Sequence, residues 1–200
     1  MAGRKRSFDR DIALDKAMRL FWNNGYAATS VANLTSELGI NTPSLYAAFG
    51  NKEQLFKEVI AHYITQYSEP SFRHITEPSD THFIEKLRAC FYELIQVFSD
   101  ADTPLGCLLT KSMNESDSVA FPEEATAYMK QFGLKTQNFI TTLIESEWGI
   151  TESETAELQA KYLLSVLYGL STQVRAGESR QVAESIMDYA LNTLQTNNAS

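Results

Sequence analysis

Cysteine and long apolar runs are scarce in this 200-residue chain. Cys90 and Cys107 are its only cysteines. Two are too few for the disulfide framework of a small secreted protein, and they fit a reducing compartment. No apolar run approaches the ~20 residues that a membrane span requires, and no apolar stretch follows the basic start. We therefore expect no membrane partner, no secretory signal and a cytoplasmic location.

Motifs for metal binding and catalysis are also missing from the sequence. The three histidines, His62, His74 and His82, are scattered and have no ligand spacing. The chain contains no G-x-S-x-G or H-E-x-x-H motif, no phosphate-cradling glycine loop and no paired Cys-His spacing. We therefore expect a protein that is not an enzyme and that uses no metal or other cofactor.

Proline and glycine are few, at five and nine residues, and long runs separate them. Such runs favour helices over many short strands, and 44% hydrophobic residues suffice for a sizeable core. No β alternation is visible, so we predict an all-α fold of about nine helices. The predicted helices cover residues 8–24, 30–38, 42–49, 51–67, 81–99, 106–114, 122–148, 151–176 and 179–193.

Local signals mark the ends of the short helices near the N-terminus. Ser30 is the expected N-cap of the second helix, and Gly39 provides the left-handed residue that ends it. Thr42 is the expected N-cap of the third helix, because Pro43 follows it at a position that tolerates proline. Gly50 is expected to end that helix after two turns.

Positive charge is scarce and unevenly placed. The chain has 17 Lys and Arg against 25 Asp and Glu, a formal charge of −8. Residues 1–60 hold eight basic and six acidic residues, whereas residues 61–200 hold nine and nineteen. Charges more than ~10 Å apart are largely screened at moderate salt, so DNA binding depends on the local surface. The net charge excludes a uniformly basic surface without excluding DNA binding.

The second and third predicted helices have the size and the turn glycine of a helix-turn-helix. In that arrangement the third helix enters the major groove of DNA, with Leu45 and Phe49 on its buried face. Its outward-facing residues are Thr42, Pro43, Ser44, Tyr46 and Ala47. No Arg, Asn or Gln projects from the middle of this helix, so shape and van der Waals fit must provide much of the specificity. An ordinary helical hairpin has the same spacing and is the alternative.

Other residues are candidates for contacts with DNA phosphates. Thr29 and Ser30 lie at a helix N-terminus, where free N–H groups and the helix dipole favour an anion. Lys52 lies in the first turn of the fourth helix, which suits a cation only if a phosphate is close. Three basic residues near the N-terminus form either a DNA-binding arm or a solubilising tail: Arg4, Lys5 and Arg6.

The ordered combination of these segments resembles the signature of the TetR/AcrR family of transcriptional regulators. The resemblance covers residues 8–60 and is carried by GYAATSV at 25–31, LGI at 38–40, SLYAAF at 44–49 and KEQLF at 52–56. It implies that Thr29, Thr42, Tyr46 and Lys52 touch DNA, mostly phosphates. Ala48 is a departure, because many members have histidine there. The resemblance further implies a dimeric, ligand-responsive bacterial regulator, most often a repressor.

The resemblance also implies a dimer built from the last two helices, which pack across a two-fold axis as a four-helix bundle. Two apolar stripes suit that interface: Leu163, Leu167, Leu170 and Val174 on one helix, and Val182, Ile186, Tyr189 and Leu194 on the other. Either stripe is alternatively part of the core within one chain. A dimer would place two recognition helices ~34–36 Å apart on a near-palindromic operator.

An effector pocket is expected among the fourth to eighth helices. Its candidate lining residues are Tyr63, Tyr67, Phe91, Phe98, Cys107, Met113, Phe132 and Tyr168. The many aromatic side chains predict a hydrophobic or aromatic effector. Cys107 opens a short helix with Lys111 one turn later, and both features favour a thiolate that reacts with electrophiles or oxidants. The alternative for Cys107 and for each aromatic residue is ordinary core packing.

The leading prediction is therefore a homodimeric repressor that binds double-stranded operator DNA and is released by a small hydrophobic or electrophilic effector. Residues 1–60 would form the DNA-binding domain, and residues 61–200 would bind the effector and dimerise. A small-molecule binding protein with a vestigial DNA-binding head is the alternative from another class. A transcriptional activator has the same sequence features as a repressor.

Overall fold

The computed structural model describes residues 9–150 and 153–198 of the chain. All regular structure in that part is helical, so the all-α prediction is confirmed. Each of the nine predicted helices is present, and α5 is an additional single turn. The helices are α1 Arg10–Asn24, α2 Val31–Leu38, α3 Thr42–Phe49, α4 Lys52–Tyr63, α5 Arg73–Thr76, α6 Phe83–Ser99, α7 Leu108–Glu115, α8 Glu123–Trp148, α9 Ser153–Arg175 and α10 Arg180–Asn198.

The caps of the short helices agree with the sequence signals except at α3. Ser30 caps α2 and accepts a hydrogen bond from the backbone N–H of Asn33. The predicted cap at Thr42 is wrong, because Asn41 caps α3 and its Oδ1 accepts from the backbone N–H of Ser44 at 2.9 Å. Asparagine is the stronger N-cap residue, and Thr42 is consequently the first residue of the helix.

Several predicted ends of the longer helices shift in the structure. The predicted starts at residues 8 and 151 lie outside the described residues, and α1 is capped by the side chain of Asp9. Helix α4 ends at Tyr63 rather than at residue 67. A π-helical turn, Ile64–Ser68, and a 3₁₀ turn, Glu69–Phe72, connect it to α5. Pro70 has no N–H to donate, which is consistent with a break in the α-helical pattern here.

A shared aromatic core joins the N-terminal helices to the rest of the chain. Phe121, between α7 and α8, packs its ring 5.3 Å from that of Tyr26 and 5.4 Å from that of Phe56. The indole N–H of Trp22 donates to the carbonyl of Gly106, 84 residues away, at 3.1 Å. Helices α1 and α4, which flank α2 and α3 in the chain, therefore pack directly on the later helices.

Candidate nucleic-acid interface and effector cavity

Helix α3 presents the outer face that its sequence predicts. Leu45 and Phe49 are buried, and the predicted outward-facing residues are all exposed, with 44% of Tyr46 accessible. These outward-facing residues are Thr42, Pro43, Ser44, Tyr46 and Ala47. The face combines hydroxyl groups with small apolar groups, which suits shallow contact with a groove rather than bidentate hydrogen bonding to bases.

Cations are absent from α2 and α3, and Arg10 of the neighbouring helix α1 forms contacts within the chain. Arg10 forms an ion pair with Glu58 at 2.6 Å and donates to the carbonyl of Ala48 at 3.3 Å. Its guanidinium lies 4.7 Å from the centre of the Phe49 ring. Arg10 therefore holds the C-terminal end of α3 in place, a role that the sequence pattern did not reveal.

Thr29, for which a phosphate contact at a helix N-terminus was predicted, is buried in the single chain. None of its surface is exposed, and its hydroxyl donates to the carbonyl of Gly25 at 2.7 Å. This bond closes the turn between α1 and α2. Ser30 is exposed at the N-terminus of α2, where the phosphate contact stays a prediction.

Lys52 is held against the same turn instead of extending freely into solvent. Its ammonium donates to the carbonyl of Tyr26 at 2.8 Å and lies 4.0 Å from the centre of the Tyr26 ring. Burial lowers the pKa of the Lys52 ammonium. An ammonium has three N–H groups, so one bond to Tyr26 leaves others for a phosphate. The remaining basic candidates, Arg4, Lys5 and Arg6, lie outside the described residues.

Helix α7 holds the turn between α1 and α2 with two charged side chains. The Glu115 carboxylate accepts from the backbone N–H groups of Tyr26 at 2.9 Å and Ala27 at 3.3 Å. The Lys111 ammonium donates to the carbonyl of Asn23 at 2.8 Å. These charges match the free groups at the end of a helix, because carbonyls there favour a cation and the following N–H groups favour an anion.

Helix α9 adds a third charged contact to this turn. The guanidinium of Arg175 donates to the carbonyl of Trp22 at 3.2 Å, and burial lowers the pKa of Arg175. A Cβ atom at Gly25, whose φ is 90°, would overlap the Glu115 carboxylate, so the turn fits closely around that side chain. We call Lys111, Glu115 and Arg175 the turn clamp. No signal in the sequence pointed to the turn clamp.

A cavity of about 570 Å³ lies among α6, α7, α8 and α9. Six of the eight predicted pocket residues line it: Phe91, Phe98, Cys107, Met113, Phe132 and Tyr168. Helix α7 therefore contributes side chains both to the cavity and to the turn clamp. Contact of these residues with an effector stays a prediction.

Tyr63 and Tyr67 do not line the cavity, so their predicted place was wrong. The Trp22 ring centre lies 4.9 Å from that of Tyr63 and 5.3 Å from that of Tyr67. Helix α4 packs on α1, so that Tyr63 at its end and Tyr67 in the following π-helical turn have their rings against α1. The buried Tyr63 hydroxyl donates to the Cys107 sulfur at 3.4 Å.

The surroundings of the two cysteines differ. Cys107 is the N-cap of α7, and its thiol has the Tyr63 hydroxyl beside it. The ammonium of Lys111, which the sequence pattern assigned to this thiol, binds the carbonyl of Asn23 instead. Cys90 lies in the core of α6, where burial raises the pKa of its thiol to about 12.

The predicted dimer stripe on α9 is buried within the chain, so this prediction was wrong. Its four members pack inside because α9 lies against α6, α8 and α10: Leu163, Leu167, Leu170 and Val174. Leu194 of α10 is buried too. The other α10 members are exposed: Val182, Ile186 and Tyr189. On α9 the exposed apolar side chains include Leu158 and Tyr162, and Gly169 follows on the same helix face.

Two features of other protein classes are absent from the described residues. Over residues 9–150 and 153–198, no helix has both the length and the apolar character needed to cross a membrane. Within these ranges, no three His, Cys, Asp or Glu side chains converge in a way that would hold a metal ion.

Comparison with known proteins relates the chain to bacterial regulators. Residues 13–59 match the model of the family described as "Bacterial regulatory proteins, tetR family". The chain is 32% identical over 198 residues to the HTH-type transcriptional repressor ComR of Escherichia coli K12, covering 96% of this chain and 90% of ComR. It is 28% identical to the repressor BdcR of the same organism, covering 88% of this chain and 84% of BdcR.

A solved structure extends the similarity to a complex with DNA. It is a cysteine mutant of the TetR family regulator CifR bound to 26-base-pair double-strand operator DNA. CifR is 29% identical in sequence to this chain. The structural alignment has a TM-score of 0.76 and covers 94% of this chain and 98% of CifR.

Proposed function

Because the chain belongs to the TetR family of bacterial regulatory proteins, we propose that it is a homodimeric transcriptional repressor that a small effector releases from its operator. The observation that carries this proposal is the exposed outer face of α3, held between the caps at Asn41 and Gly50. The similarity to a regulator bound to operator DNA supports double-stranded DNA as the partner. Residues 1–60 serve as the DNA-binding part and residues 61–200 as the effector-binding and dimerising part, in the cytoplasm.

The dimer forms through the exposed faces of α9 and α10 rather than through the buried stripe. On α10 the contact residues are Val182, Ile186 and Tyr189, and 76% of Tyr189 is accessible in the single chain. On α9 they are Leu158 and Tyr162. Large apolar side chains exposed on one face of neighbouring helices are typical of a protein–protein interface. Two chains paired in this way present two α3 helices to a near-palindromic site.

Effector binding acts on DNA binding through α7. An effector in the cavity contacts one face of α7, whose other side holds Lys111 and Glu115 of the turn clamp against the α1–α2 turn. A shift of α7 therefore moves the turn from which α2 begins. The effector releases DNA because it binds more tightly to the conformation in which the two α3 helices no longer match the operator.

Operator selection tests the proposed function. Fragments bound by the purified protein are selected from a random DNA pool, and their binding is then measured by gel shift at several salt concentrations. A repressor yields a near-palindromic site and an affinity that falls steeply with salt. The alternative of a small-molecule binding protein with a vestigial head predicts no selected site. Transcription from a promoter that contains the site distinguishes a repressor from an activator.

Loss of Glu115 is expected to loosen the α1–α2 turn. In the Glu115→Ala variant the N–H groups of Tyr26 and Ala27 lose their acceptor. Their bond energies of ~1–3 kcal/mol correspond to amide hydrogen exchange that is about 10 to 100 times faster. Operator affinity is expected to fall about tenfold, because the turn no longer fixes where α2 starts.

Hydrogen exchange read by mass spectrometry on peptides that span residues 23–29 measures this effect. Asp117→Ala, an exposed carboxylate two residues away, is the matched control and should leave the exchange unchanged. Unchanged exchange in the Glu115→Ala variant would show that the turn clamp does not hold the turn.

Cys107 is proposed to report electrophilic effectors, since its thiol lines the cavity wall. Iodoacetamide applied to the native protein is expected to alkylate Cys107 and to spare Cys90, because the pKa of the Cys90 thiol is raised to about 12 by burial. Mass spectrometry of tryptic peptides reads the two sites separately. An unreactive Cys107 ends the electrophile-sensing proposal and leaves reversible binding of hydrophobic effectors.

A further inference from the structure

The cavity has a buried apolar floor. Its fully covered lining residues come from α6, α8 and α9 and include Phe91, Leu94, Phe98, Ile140, Leu164 and Leu167. A volume of about 570 Å³ lies within the range of ~300–1,000 Å³ that is typical of sites for small organic ligands. The floor accordingly suits the apolar part of a ligand of that size.

The rim of the cavity has a different composition. Its exposed lining residues include the cations Lys130 and Lys161 and the polar residues Asn114 and Ser165. No Asp or Glu is among the lining residues in the described part of the chain. Residues 61–200 contain nineteen acidic residues and nine basic ones, so this absence is not a consequence of composition. The charged residues at the rim of the cavity are therefore lysines, although residues 61–200 are acidic overall.

The two rim lysines differ in how their charge is used. The Lys161 ammonium pairs with the Glu157 carboxylate of the preceding turn at 2.5 Å. The Lys130 ammonium makes no ion pair or hydrogen bond with any residue in 9–150 or 153–198. The hydroxyl of Thr110, another lining residue, also has no hydrogen-bond partner among those residues. The Lys130 ammonium is thus a free cation available to a ligand in the cavity, whereas the Thr110 hydroxyl is buried behind the cavity wall.

We propose that the cavity binds an amphipathic organic anion, with its apolar chain or ring on the floor and its carboxylate at the Lys130 rim. This inference rests on the proposed function, because it takes the cavity to be the effector site. A charge is costly to bury unless it is paired, so an anion end fits the rim and an apolar end fits the floor. A cationic amphiphile would place its charge near Lys130 and Lys161, with no lining carboxylate to pair with it. A neutral amphiphile would leave the Lys130 ammonium without an anionic partner.

Three probes of equal chain length test the proposal by isothermal titration of the purified full-length protein: decanoate, decanol and decyltrimethylammonium. We expect decanoate to bind at least tenfold more tightly than either of the others. The Lys130→Met variant should weaken decanoate binding about tenfold and leave decanol binding unchanged. Lys130→Arg should retain decanoate binding, because the positive charge is kept. Lys135→Met, at an exposed lysine of the same helix outside this cavity, should bind decanoate like the parent protein.

Equal binding of decanoate and decanol overturns the proposal, and so does tighter binding of the ammonium probe or no binding of any of the three. An unchanged decanoate affinity in Lys130→Met, or an equal loss in Lys135→Met, also overturns it. Gel shift with the selected operator in the absence of probes is measured in parallel. Failure there counts against the proposed repressor, whereas intact operator binding with a wrong probe order counts only against the ligand class.

Discussion

Replacing Ile186 and Tyr189 together with aspartate is expected to convert the protein to a monomer and to weaken operator binding on the order of 10³-fold. Both side chains are exposed on α10 and lie outside the buried core of one chain, so the substitutions remove no core residue. Aspartates in the centre of an apolar interface place like charges of the two chains close together without partners. A monomer reaches only one half-site and loses most of the margin of ~10³–10⁷ that separates specific from non-specific binding.

Sedimentation or light scattering at micromolar concentration measures the association state, and gel shift measures the affinity. Val119→Asp is the matched control, because Val119 is a fully exposed apolar residue on the connection between α7 and α8. A variant that stays dimeric would place the interface elsewhere on the chain. A variant that is monomeric yet binds the operator normally would show that DNA binding does not require the dimer.

Neutralising Arg4, Lys5 and Arg6 is expected to weaken operator binding on the order of 10²-fold at ~0.15 M salt. In the rest of residues 1–60, α2 and α3 contain no Lys or Arg, and Arg10 and Lys52 each form bonds within the chain. Lys52 keeps N–H groups for a phosphate, but we expect most phosphate contacts by side-chain cations to come from this arm. Each charge contributes ~0.9 to the slope of log affinity against log salt, so six charges per dimer lower it by about five.

Gel shift with the selected operator over a range of salt concentrations gives both the affinity and the slope for the triple alanine variant. Neutralising Lys86, Lys135 and Arg180, of which Lys86 is half-buried and the other two are exposed, provides a control with the same change in net charge. Equal effects of the two variants would indicate that only the overall charge matters. An arm variant with the parent slope would identify residues 4–6 as a solubilising tail.

Local signals in the sequence were sufficient to locate the helix-turn-helix. The side chain of Ser30 and the glycines at 39 and 50 act within one or two turns, so their roles are readable without the rest of the fold. The alternation of buried and exposed residues along α3 is similarly local. Even the error at α3 is a shift of one residue, from Thr42 to Asn41.

Side chains that depend on distant partners were not predictable in the same way. Lys52 and Thr29 lie where a phosphate contact is plausible, yet both bind carbonyls of the turn between α1 and α2. Tyr63 and Tyr67 have the composition of pocket residues, but the packing of α4 on α1 directs them to Trp22. A hydrophobic pattern shows that a side chain is buried and not which neighbour buries it.

The dimer stripe on α9 illustrates the same limit. A helix that packs on three others is apolar over a wide arc, and the most regular stripe of such a helix is the one that faces inward. The side chains that remain outside, such as Leu158 and Tyr162, follow a less regular pattern. Their exposure depends on how α6, α8 and α10 pack around α9, which the sequence pattern of α9 alone does not contain.

The contact of Phe121 with Tyr26 and Phe56 bears on how the protein can be divided. A fragment cut at residue 60 would expose these rings to water and would lose the bond between Trp22 and Gly106. We therefore expect residues 1–60 and 61–200 to unfold in a single melting transition, although different functions are proposed for them. A substitution that destabilises residues 61–200 is then expected to lower operator occupancy as well.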